Sequence, residues 1–109
     1  MSAHKFEALK QYYPAAQAVH EGGVLCAFLP ALRIDTPAGI VQLDALLYPA
    51  HHAGYESRLF LERQISALNA KNWNAFQLIG RNWQACSWQG VSAALPWHQM
   101  LANHLRAFA

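Results

Sequence analysis

Charge is what this sequence is short of. Lys, Arg, Asp and Glu make up 13% of its 109 residues, against 54% apolar, where a soluble domain ordinarily carries about a quarter charged residues. So few charges cannot coat a folded surface, and some apolar area is expected to meet a partner chain. The net charge of +2 comes from Lys and Arg scattered singly. Without a basic run or a basic helical face, nucleic acid is not the expected ligand. Cysteine is scarce too. Cys26 and Cys86 make no disulfide framework, and with no signal-like N-terminus they point to a reducing, cytoplasmic setting. No Cys-x-x-Cys or His-x-x-x-His pair occurs, adjacent His51 and His52 point apart on any regular element, and His98 and His104 do not share a helical face well. Neither a metal nor another cofactor is therefore expected. Long hydrophobic runs are missing as well. The longest uncharged stretch carries Asn, Gln, Ser and His throughout, whereas a spanning helix needs about 20 predominantly apolar residues. No repeat, low-complexity tract or linker interrupts the chain, so residues 1–109 read as one domain around one core.

What is present is a succession of short, well-punctuated elements. Ser2 to Tyr13 reads as a helix, with Phe6, Leu9 and Tyr13 at helical spacing and Ser2 as N-cap. Pro14 disfavours the α conformation at Tyr13; Ala15 to Val19 add a further turn, and Glu21-Gly22-Gly23 breaks the element. Val24 to Asp35 is rich in strand formers, and Pro30 inside it requires an edge position or a bulge. Thr36 to Gly39 is a turn. Ile40 to Tyr48 alternates Leu43, Ala45 and Leu47 against Gln42, Asp44 and Leu46, so the two runs form an antiparallel hairpin. Pro49 to Tyr55 is a loop. Glu56 to Ile65 reads as a third strand, with a helix as the competing assignment. Asn69 to Asn74 is turn-like, and Ala75 to Ile79 with Trp83 to Trp88 make a fourth strand or a small hairpin. Pro96 suits a first helical position. After it, Trp97, Met100, Leu101, His104, Leu105 and Phe108 fall on one apolar stripe. The expected fold class is α+β: an N-terminal helix, an antiparallel three- to four-stranded meander, a cysteine-bearing loop and a C-terminal amphipathic helix packed on one side of the sheet.

The stretch from Asn82 to Phe108 is the expected site region. It holds no Lys, Arg, Asp or Glu before Arg106, and it sets Cys86 between Trp83 and Trp88. Two segments here and upstream carry a resemblance. LDALLYPAHHAGY resembles the strand and Phe-Pro-x-x-Tyr-Pro-type loop of the ubiquitin-conjugating (UBC) superfamily, with Tyr48-Pro49 and Tyr55 but no second proline. QACSWQGVSAALPWHQMLANHLRAF resembles that superfamily's catalytic stretch, in which the cysteine follows a short strand and precedes a Trp–Pro signal and an amphipathic helix. GRNWQACSW followed by LPWHQMLANHL looks like its compact bacterial branch. The His-Pro-Asn tripeptide that usually precedes the cysteine is absent, and Pro96 precedes Trp97 rather than following it.

That resemblance implies a bacterial transferase that carries a ubiquitin-like modifier as a thioester on Cys86, with the modifier and its activating enzyme as partners. Cys86 would be the nucleophile. Asn82 is the amide side chain to consider for the missing asparagine, although it, Asn74 and Asn72 all stand off the family spacing. His98, in the first turn of the last helix, would reach back to assist proton transfer. Trp88, Trp73 and Tyr55 are the candidate partner-binding aromatics. Cys26, inside an apolar run, reads as a packed small side chain, and His104 as a core histidine with one hydrogen bond. Two other classes compete: a UBC-like adaptor that docks a modifier or assembly partner without chemistry, and an α+β domain that only oligomerises through an apolar sheet edge. The oligomeric state is not legible from the sequence.

Overall fold

The computed structural model describes residues 2–109. Helix α1 (Ser2–Tyr12) is followed by strands β1 (Gln17–Glu21), β2 (Val24–Thr36), β3 (Gly39–Tyr48), β4 (Arg58–Leu61), β5 (Asn74–Leu78) and β6 (Arg81–Ala85), then by helix α2 (Trp97–Leu105) and a 3-10 turn at Arg106–Phe108. The strands form a single antiparallel sheet in the order β1-β2-β3-β4-β6-β5.

This corrects the expected fold class. Six strands dominate and the two helices are short, which is not the UBC-like α+β layout with its three- to four-stranded meander. The causes are local. Gly22 and Gly23 hold φ of 57° and 81°, two consecutive left-handed residues that make the two-residue turn matched to strand twist. Glu21 consequently faces Val24, and residues 17–21 pair with β2 as a strand instead of extending a helix. Ile79 and Gly80, with φ of 45° and 73°, turn β5 into β6 in the same way. The returning strand β6, not β5, then docks on β4 through Leu61 opposite Gln84, which breaks the meander order.

The β2–β3 hairpin forms as expected, and Pro30 marks a bulge. Leu29 pairs with Ala45 but Leu32 with Leu43, so β2 carries one extra residue there. Ala31 takes φ of 50° and its N–H donates to the Asp44 carboxylate at 2.9 Å. The extra residue resets the alternation. Without it, Leu32 and Ile34 would face away from Ala27 and Leu29; with it, all four join the same core cluster.

Each face of the sheet is apolar. On one, Leu43, Ala45 and Leu47 of β3 and Leu59 and Leu61 of β4 pack under Phe6 and Leu9 of α1 and Trp97, Met100 and Leu101 of α2. Phe6 meets Trp97 edge-to-face at 6.4 Å. On the other, helix-free face, Cys26, Leu46, Tyr48, Phe60, Leu78, Trp83 and Ala85 form a second cluster. The two ends of the sheet approach there: the Ile79 N–H donates to the Glu21 carboxylate at 2.6 Å, and Phe28 meets Trp83 edge-to-face at 6.2 Å. The apolar stripe of the last helix is as read, except that Pro96 is its N-cap and Leu105 is only half-buried. Among the described residues no helix is long and apolar enough to cross a membrane.

Candidate functional site

Cys86 stands one residue beyond β6 and is half-buried against the helix-covered core. The strand stops there because the next backbone N–H, that of Ser87, donates to the Lys71 carbonyl at 2.9 Å instead of continuing the ladder. Burial pushes the Cys86 thiol up from its ordinary range; its own backbone hydrogen bond and the positive charge of Arg58 pull it down without cancelling that rise.

Arg58, first residue of β4, is 4% exposed. Its guanidinium donates to the Cys86 carbonyl at 3.3 Å and lies over the Tyr55 ring at 4.2 Å and the Phe76 ring at 5.0 Å. Among the described residues the ion pairs are Arg33–Asp35 and Arg81–Asp44, so Arg58 has no carboxylate partner. Three aromatic faces, those of Tyr55, Phe60 and Phe76, and one carbonyl engage the cation.

Next to it, the Ser57 hydroxyl donates to the Val91 carbonyl at 2.9 Å and lies 2.9 Å from Nε2 of His104. A hydroxyl has one proton, already engaged, so the imidazole Nε2–H donates to Ser57. Burial, and then the nearby Arg58, push the His104 pKa down to about 4, so the imidazole is neutral at neutral pH. Trp88 Nε1 donates to the Asn103 carbonyl at 2.9 Å, tying the loop after Cys86 to α2, and the Tyr55 hydroxyl donates to Ser87 Oγ at 2.9 Å. Ser57, Arg58, Cys86, Trp88 and His104 line one cavity of about 10 Å³. That is room for a single water-sized group. A polar cleft of about 70 Å³ adjoins it, between Gly54–Ser57 and Trp88–Val91.

The structure gathers some of the expected site residues and disperses others. Cys86, Trp88 and Tyr55 come together. Trp73 is half-buried beyond them; its Nε1 donates to the Ala70 carbonyl at 3.2 Å and its ring stacks on Phe108. Asn82 lies at the far end of β6, roughly 13 Å away along a strand, and its Oδ1 accepts from Gln77. Asn74 is closer in register, opposite Ala85, yet its amide donates to the Asn72 carbonyl. His98 stacks on Tyr12 with ring centroids 4.3 Å apart and does not line the Cys86 cavity. The histidine that does is His104, which the spacing placed in the core with one hydrogen bond. Sequence reasoning missed Ser57 and Arg58. Their only signal was an ionisable residue at the foot of an otherwise apolar strand, RLFL.

Among the described residues no group of three or more His, Cys, Asp or Glu is placed to hold a metal. The constellation is thus a half-buried thiol, raised by burial, on a residue whose carbonyl accepts from the Arg58 guanidinium, with a neutral imidazole lining the same cavity. No family model, curated protein or solved structure matches the chain.

Proposed function

We propose that the protein is a cysteine-based acyl carrier: Cys86 takes the C-terminal acyl group of a ubiquitin-like modifier from its activating enzyme as a thioester and passes it to an amine. The observation that carries this reading is the setting of the thiol, at a strand end, partly open, within the field of Arg58. The resemblance of the Cys86 stretch to the catalytic stretch of bacterial conjugating enzymes names the acyl donor; the sheet topology lends it no support. In transfer, the amine nitrogen attacks the thioester carbon, the C–N bond forms, the C–S bond breaks, and the sulfur leaves as a thiolate. The proton lost by the amine goes to solvent, from which the thiol is regenerated. Incubation with a modifier, its activating enzyme and ATP is expected to give a thiol-sensitive adduct, retained as an ester in Cys86→Ser and lost in Cys86→Ala. No adduct in the wild type with active partners removes the reading.

One observation favours a docking module without chemistry. Neither Asn82 nor His98 approaches the sulfur, and the thiol is raised. Under that reading Cys86→Ala keeps partner binding and Trp88→Ala loses it.

A further inference from the structure

We draw no further inference here: the strongest candidate, the apolar groove of about 250 Å³ between the end of α1 and the bulge in β2, walled by Tyr12, Tyr13, Pro14, Leu29 and Pro30, carries nothing, because nothing in the structure shows what covers it.

Discussion

The two cysteines sit on opposite faces of the same sheet and differ in nearly everything that sets thiol chemistry. Cys26 of β2 is 0% exposed within the helix-free cluster, and its thiol is pushed up to about 12, chiefly by burial and then by the Glu21 carboxylate. Cys86 lies under α2 at a strand end, half-buried, and the charge nearest to it is the positive Arg58, which opposes its burial. Burial raises both thiols. What separates them is the sign of the neighbouring charge and a route to solvent, and these decide whether a thiol packs or reacts.

The contrast can be broken most forcefully by labelling the native chain with iodoacetamide. Cys86 is expected to react at least about a thousandfold faster than Cys26, because Cys26 must wait for the sheet to open. Equal rates, read by peptide mass spectrometry, would erase the distinction. A second test bears on the cover over Cys86. His104 titrates at about 4 in the folded chain against an ordinary 6.5, so between these values the unfolded chain binds the extra proton. Its stabilising contribution is complete above pH 6.5 and is lost as pH falls toward 4, up to about 2–3 kcal/mol. Urea unfolding at pH 7.5 and 4.5 should show that slope in the wild type, and His104→Gln should flatten it. The smallest effect sharpens the other side. Gly22→Ala forces an alanine to φ of 57°, which costs about 1 kcal/mol. It should loosen the β1–β2 hairpin and speed Cys26 labelling several-fold while leaving Cys86 labelling unchanged.

Much of the fold was legible because it is written in short-range chemistry. The spacing of Phe6 and Leu9, the apolar stripe from Trp97 to Phe108, and the alternation of Leu43, Ala45 and Leu47 each place an element without reference to the rest of the chain. Pro30 announced the bulge in β2 by lacking an N–H. Gly22-Gly23 was equally visible but ambiguous. A glycine pair ends an element or turns a hairpin with the same composition, and only the pairing of Val19 with Cys26 selects the second. The site divides along the same line. Cys86 stood out as a thiol in an uncharged stretch, and His104 as a core histidine. His98 and Asn82 were attractive by sequence distance to Cys86 alone, whereas the rise of a helix and the length of a strand carry both away from it.

By itself the sequence determined which residues could be buried and where several elements begin and end, while the end of β6 just before Cys86 was not among them. Those properties depend on covalent geometry and on neighbours within a turn or two. Only the tertiary structure decided the strand order, the second apolar face and the company Cys86 keeps. Arg58, Ser57 and His104 reach it from β4, the preceding loop and α2. Contacts between residues 28 and more positions apart arise from how the sheet closes, which no local pattern encodes.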